Sequence, residues 1–371
     1  MKISIVGAGI MGLSAAWALA RDGHQVTIYE QAEVPNPLGS SVDEHRLIRH
    51  PYGEERGYTR MINEAYAAWD RLWGDIGVRH YAATGTLVLD RGDPWAAATA
   101  RTLAIENVPF RRLEAADIAR DYPQLSTDGL RVALSLNTGG VLFAERIVTD
   151  LARHLRGRGV VLETSTQVRD VDGERGRITL DGGRTVEADL LVVAAGPWVR
   201  HLLPSLASRV TPSRQIVVYL TPPADLAPNW AKSPMILDID PGAGFYVVPP
   251  RGGTGLKIGD HRFSLAGDPD HDRVATEADV ARLLAACGSR LRDIERYAVG
   301  TAKTCFYDVE PHERFIVEPL DARGIVLSGL SGHGFKFAPV IGLELARTVR
   351  GERPVHDLSQ WAAGRIDPAR A

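Results

Sequence analysis

The chain opens on Ile3-Ser4-Ile5-Val6, a short apolar and largely β-branched run that breaks at Gly7, Gly9 and Gly12. From Leu13 to Arg21 alanine and leucine dominate, which reads as a helix. Gly23 closes it, and Gln25 to Glu30 resumes a strand pattern. Strand, tight turn, helix and strand in that order predict the βαβ opening of a parallel sheet covered by helices. Residues 31–58 hold Pro35, Pro37, Gly39, Gly53 and Gly57 without periodicity, so they read as a long loop, and loops of that length usually carry function. Helical spacing returns over 60–76, a strand follows at 85–89, and helices are predicted at 94–107, 114–120 and 145–156. Short β-rich runs with glycine turns fill 160–194 and resemble a meander, ending in the continuous apolar strand Leu190-Leu191-Val192-Val193-Ala194. Residues 209–262 read as several strands with Pro and Gly turns, which suits an antiparallel sheet. A helix at 276–291, a strand at 297–307, the buried strand Gly324-Ile325-Val326-Leu327-Ser328 and a helix at 339–350 complete the pattern.

Three buried strand-then-glycine units, at 3–12, 190–196 and 325–334, share one pattern although they are scattered along the chain. They predict a single nucleotide-binding domain assembled from separated pieces, with the stretches between them forming a second domain. The 371 residues suit two to three domains, and 44% hydrophobic with 24% charged residues is the composition of an ordinary globular protein. A net charge of −3 without any long run of Lys or Arg argues against a nucleic-acid partner. The first apolar stretch ends too early for a signal-peptide core or a membrane span, so a cytoplasmic protein with no membrane partner is expected. Two cysteines, Cys287 and Cys305, make no disulfide framework. Only five of the 43 basic residues are lysines, which singles out each of them.

Gly7-Ala8-Gly9-Ile10-Met11-Gly12 matches G-x-G-x-x-G directly after a strand and at the start of a helix, where backbone N–H groups and the helix dipole hold a pyrophosphate. Glu30 ends the second strand, where a carboxylate accepts both hydrogen bonds of a ribose diol. A bound dinucleotide is therefore expected. The motif leaves its identity open, since a nicotinamide-dependent hydroxyacid dehydrogenase would use the same wording.

Further along come Lys303-Thr304-Cys305-Phe306-Tyr307 and Ser331-Gly332-His333-Gly334-Phe335-Lys336-Phe337. With Arg46-Leu47-Ile48-Arg49-His50-Pro51-Tyr52-Gly53-Glu54, Gly139-Gly140-Val141-Leu142-Phe143 and Gly255-Leu256-Lys257-Ile258-Gly259-Asp260-His261, the sequence resembles the monomeric sarcosine oxidase branch of the D-amino-acid-oxidase-like flavoproteins, which includes N-methyltryptophan and pipecolate oxidases. The likeness runs nearly end to end. It implies an α/β (α+β) fold: a Rossmann-like FAD domain from residues 1–81, 139–208 and 312–371, and an antiparallel β-sheet substrate domain from 82–138 and 209–311.

By that resemblance Cys305 carries the flavin covalently through sulfur, and neighbouring Lys303 is expected to lower the thiol pKa. Gly332 and Gly334 let a helix N-terminus approach the flavin N1–C2=O edge, and Ser40, Val168, Gly196 and Lys336 join Gly7, Gly9, Gly12 and Glu30 at the cofactor. Arg49 and Lys336 would clamp a substrate carboxylate, Arg46 would lie against the flavin face, and Lys257 would assist the reaction with oxygen. His261, Tyr246, Tyr307 and Leu237 would line the substrate cavity. The implied reaction takes hydride from a neutral small secondary amine, N-methyl or cyclic, to flavin N5, leaving an imine for hydrolysis, while O2 becomes hydrogen peroxide. No metal is required, and the oligomeric state stays open between monomer and assembly. An electron acceptor other than oxygen and a catalytically silent binding protein are the competing readings. The run Gly39-Ser40-Ser41-Val42-Asp43-Glu44-His45 departs from the family pattern, with Asp43 and Val42 standing where a glycine and a histidine are usual.

Overall fold

The computed structural model describes residues 1–239 and 244–365, so residues 240–243, inside the expected range 209–311, and 366–371, the end of the expected range 312–371, lie outside the described residues. The first strand, Lys2–Val6, pairs in parallel with Gln25–Tyr29 on one side and Leu190–Val193 on the other. Gly324–Ser328 continues the sheet beside Leu190–Val193, and Ile316–Asp321 closes that edge antiparallel. All three strand-then-glycine units are thus direct neighbours in one six-stranded sheet. The reason is burial on both faces: helices cover Ile3, Ile5 and Val192, while Leu191 and Val193 pack against Val168, Ile178 and Leu180 of a small antiparallel sheet, so the strands read as unbroken apolar runs.

The helix Ile10–Arg21 begins three residues before the alanine-rich stretch, because its first turn lies inside the glycine motif. Across it packs Ala338–Val349, with Gly342 so close that a Cβ there would stand 2.4 Å from the Ser14 carbonyl oxygen. Trp17, Leu13, Leu19, Ile341 and Leu345 fill the interface.

A second, eight-stranded sheet runs in the spatial order Ala298–Val309, Thr211–Thr221, Leu256–Asp260, Phe245–Val248, Met235–Asp238, Thr86–Asp90, Val132–Leu136, Arg111–Leu113. Every pairing is antiparallel except Met235–Asp238 with Thr86–Asp90, which is parallel and joins segments far apart in the chain. Side chains alternate between its faces. Leu87 and Leu89 pack with Leu283 and Cys287 of helix Glu277–Gly288, while Val88 packs with Ala96, Ala100 and Leu103 of helix Pro94–Ile105.

Two local expectations are corrected. Only 168–187 forms the meander, since Val161–Glu163 and Leu190–Val193 leave it to join the parallel sheet. The supposed loop 31–58 contains the strand Arg46–Ile48, and the following helix begins at Arg56. Three residues are too few to show a period, and the strand exists because Gly140–Leu142 pairs with it. No helix among the described residues is long and apolar enough to cross a membrane.

Candidate active site

The glycine motif is shaped by close approach. Gly7 has φ +101°, and a Cβ on it would stand 2.4 Å from the Ala194 carbonyl oxygen at the end of the next strand. On Gly12 a Cβ would lie 2.0 Å from the Gly7 carbonyl oxygen, so the helix seats on the turn only with glycine there. Gly9 caps the helix N-terminus without any side-chain hydrogen bond of its own, and Ser41 Oγ accepts from the Ile10 N–H at 2.9 Å. Glu30 is buried and held firmly: its carboxylate accepts from Ala8 N at 2.8 Å, Asn36 Nδ2 at 2.9 Å and Ala32 N at 3.2 Å.

A partly open cleft runs along these groups. Gly7, Gly9, Glu30, Ser40, Val168, Gly196, Gly332 and Gly334 all face it, as do Arg46 and Tyr307. A helix N-terminus behind a glycine turn, a fixed carboxylate at the second strand and a continuous groove joining them fit an adenine dinucleotide such as FAD.

Beside the cleft lies a buried ionic cluster centred on Asp43, a residue outside the family motifs. Its carboxylate pairs with Arg46, accepts from Lys257 Nζ at 2.5 Å and from the Tyr219 hydroxyl, and stands 3.7 Å from Lys303 Nζ. Burial alone would raise its pKa, yet Lys257 and then Arg46 hold it well below the usual carboxylate range. Lys257 is 2% exposed and donates also to the His45 carbonyl at 3.1 Å. His45 stays neutral, its imidazole pushed down to about 3 by burial and by Lys257. Arg46 Nη2 donates to the Ser40 carbonyl at 2.9 Å and approaches Cys305 Sγ at 3.8 Å. Burial pushes the Cys305 thiol up, and Arg46 is the foremost group opposing it, whereas Lys303 turns to Asp43 and the Tyr219 ring. Lys303, expected to lower the thiol pKa, is thus directed elsewhere, and the cations that oppose the effect of burial on Cys305 are Arg46, Lys257 and Arg273.

Arg49 and Lys336, both buried, lie near one another and near His261. Arg49 donates to the Pro51 carbonyl and stacks on the Tyr52 ring, 4.7 Å from its centroid, with Trp95 at 6.0 Å. Lys336 Nζ donates to Tyr52 Oη at 3.0 Å and to the His333 carbonyl at 3.1 Å. Among the described residues no carboxylate lies within ion-pair distance of either cation. Burial lowers both pKa values; Glu313, beyond ion-pair distance, partly sustains the charge of Arg49, whereas Lys336 is pushed well down by burial and then by Arg49. Their charge is felt at His261, which burial, Arg49 and Lys336 together hold down at about 3. Tyr246 meets the His261 ring edge-on at 6.0 Å, and burial pushes the phenols of Tyr246 and Tyr307 up, so both stay protonated. Leu237 pairs in register with Tyr246 and is buried with Val88, Ala96 and Leu134 under helix Pro94–Ile105.

Sequence reasoning had not assigned roles to Asp43, Tyr219, Tyr52, Trp95 and Ser41. Tyr52 was within reach, three residues after Arg49 in the same motif. Tyr219 and Trp95 carry no local signal, since an aromatic residue in a strand or helix usually means packing.

A parallel sheet with a glycine-motif turn and an acid at its second strand defines a dinucleotide-binding oxidoreductase architecture. A family model described as FAD dependent oxidoreductase (DAO) matches residues 2–348, and the chain belongs to that family. It is 27% identical to a monomeric sarcosine oxidase of Bacillus sp. (strain NS-129), over 98% of this chain and 96% of that protein. It is 27% identical to an N-methyl-L-tryptophan oxidase of Salmonella newport (strain SL254), over 98% of each. Among solved structures, L-proline dehydrogenase from P. horikoshii superposes with a TM-score of 0.82 at 18% identity, covering 99% of both chains. NikD, an unusual amino acid oxidase essential for nikkomycin biosynthesis, superposes at 0.81 with 21% identity, covering 97% of this chain and 96% of that one. At these identities the superpositions establish the shared fold.

Proposed function

We propose that this protein is an amine oxidase that uses FAD to oxidise the C–N bond of a small secondary amino acid, N-methyl or cyclic, and passes the electrons to O2 to give hydrogen peroxide. The observation that carries this reading is the pair Arg49 and Lys336, two buried basic groups that, among the described residues, have no carboxylate within ion-pair distance. Desolvated charge of that kind is costly unless a ligand supplies the counter-charge, and an amino-acid carboxylate is the matching group. We take 1–81, 139–208 and 312–371 to hold the cofactor and 82–138 with 209–311 to cover the substrate.

Bound in the cleft, FAD supplies a two-electron acceptor for hydride. Arg49 forks onto the substrate carboxylate and Lys336 adds the second charge, fixing the amine end beside Tyr246, His261 and Tyr307. Hydride leaves carbon only next to a neutral nitrogen, and the two cations favour the deprotonated amine. His261 stays uncharged, so it adds no third positive charge and can accept a hydrogen bond. The test is a panel of N-methyl and cyclic amino acids mixed with the protein without air. Bleaching of the flavin by a secondary amino acid, but not by the matching ester, is expected; equal bleaching by both would refute the clamp.

A second reading, electron transfer to a quinone or carrier protein, is favoured by one observation: Asp43 takes up the charge of Lys257. Peroxide formed in air in step with amine consumed decides between the two.

For the covalent link we look to Cys305, whose Sγ lies 3.8 Å from the Arg46 guanidinium at the cleft wall. Acid precipitation of the wild type is expected to retain flavin on the protein, and Cys305→Ser to release it. Full release from the wild type would refute the link.

A further inference from the structure

The two groups of cations in this site are treated differently. Among the described residues Arg49 and Lys336 have no carboxylate within ion-pair distance, whereas Arg46, Lys257 and Lys303 converge on the single carboxylate of Asp43. Asp43 is 4% exposed and fully engaged, since Tyr219 donates to it from the Thr211–Thr221 strand and Glu44 N donates to Oδ1 at 2.9 Å. Lys257 comes from Leu256–Asp260 and Lys303 from Ala298–Val309, so three adjacent strands of the large sheet deliver their polar groups to one acid. On its other side Asp43 grips Arg46, which faces the cofactor cleft.

We propose that Asp43 is a positioning residue that ties Arg46 and Lys257 in place and sets the net positive charge presented to the flavin, and with it the flavin's reduction potential. The physical argument is charge balance in a poorly solvated place. Arg46 and Lys257, with the partly exposed Lys303 behind them, would pull upward the potential of a flavin that gains negative charge on reduction, because the field of the first two is little screened there. One buried carboxylate removes a full unit of that field. It also supplies what Lys257 needs to remain an ammonium, since burial works against its charge while Asp43 sustains it. The substrate cations lack such a partner, so the incoming carboxylate finds them free.

This inference rests on FAD occupying the cleft and not on the identity of the amine, so its test contains no amine. The flavoprotein is reduced stepwise by a chemical reductant against a reference dye, at about pH 6 so that Lys257 keeps its proton without its partner. Asp43→Asn is expected to raise the ratio of reduced to oxidised flavin at fixed potential by tenfold or more, which is about 30 mV for a two-electron couple. Lys257→Met is expected to lower it by a similar factor. The double variant Asp43→Asn/Lys257→Met has the wild-type charge, so its ratio returns to within about twofold of the wild type.

A second readout needs no cofactor: flavin-free Asp43→Asn unfolds at a lower temperature than the wild type, and the double variant recovers most of the loss. A purely structural acid would leave the potential unmoved and would give a double variant worse than either single one; that result overturns the proposal. If Asp43→Asn alone does not fold, the Lys257→Met and double variants still decide, because equal potentials in those two would show that Asp43 contributes no field.

Discussion

Arg49→Ala is expected to lower kcat/KM for an amino-acid substrate by about two to three orders of magnitude, mainly through KM, which corresponds to about 3–4 kcal/mol. Hydrogen bonds to a charged group contribute about 1.5–3 kcal/mol each, and a guanidinium offers two in parallel to a carboxylate. Lys336 remains, so binding is weakened but not abolished. The same change acts oppositely on the empty protein. Arg49 is 8% exposed and donates to the Pro51 carbonyl, and among the described residues no carboxylate lies within ion-pair distance of it, so its removal deletes a buried charge whose acidic influence comes from the more distant Glu313. The flavin-free chain should therefore unfold at no lower a temperature than the wild type. Titration with a carboxylate inhibitor and a thermal scan measure the two effects. Undiminished inhibitor affinity would remove Arg49 from the site.

Gly12→Ala is expected to yield protein with little or no bound flavin and a stability loss of about 2–4 kcal/mol. The new Cβ would lie 2.0 Å from the Gly7 carbonyl oxygen, a backbone atom with no rotamer to escape into. To make room the helix Ile10–Arg21 must lift from the turn, and the N–H groups of its first turn then no longer converge on a pyrophosphate. Gly74→Ala is the control. It lies inside helix Arg56–Ile76 with nothing within 4 Å of the added carbon, so replacing it should stabilise by about 0.5–1 kcal/mol and leave flavin content unchanged. A flavin absorbance in Gly12→Ala equal to that of the wild type would refute the account of the cradle.

The two variants differ in how visible their sites are from sequence. Gly12 belongs to a motif of six residues whose strand, turn and helix are contiguous, so the physical requirement is written in adjacent letters. The same holds for Leu190–Val193 and Gly324–Ser328, where burial on both faces leaves an unbroken apolar run. Arg46–Ile48 was invisible because three residues carry no period and their partner is Gly140–Leu142. The parallel join of Met235–Asp238 to Thr86–Asp90 was invisible for the same reason: neighbours in a sheet need not be neighbours in the chain.

Charge shows the division most clearly. Lys257, Lys336, Arg46 and Arg49 could all be singled out by their motifs, but as letters they are four equivalent cations. Folding brings Asp43 against Lys257 and Arg46 and, among the described residues, brings no acid within ion-pair distance of Arg49 or Lys336. The amino-acid order by itself determined the nucleotide cradle and the supply of basic groups, since both depend on short stretches of chain. Which of those groups carry a counter-ion, and so which remain to meet a ligand's charge, was decided only by tertiary structure. The strength of a charge in a protein depends on what is buried beside it, and segments distant along the chain decide what that is.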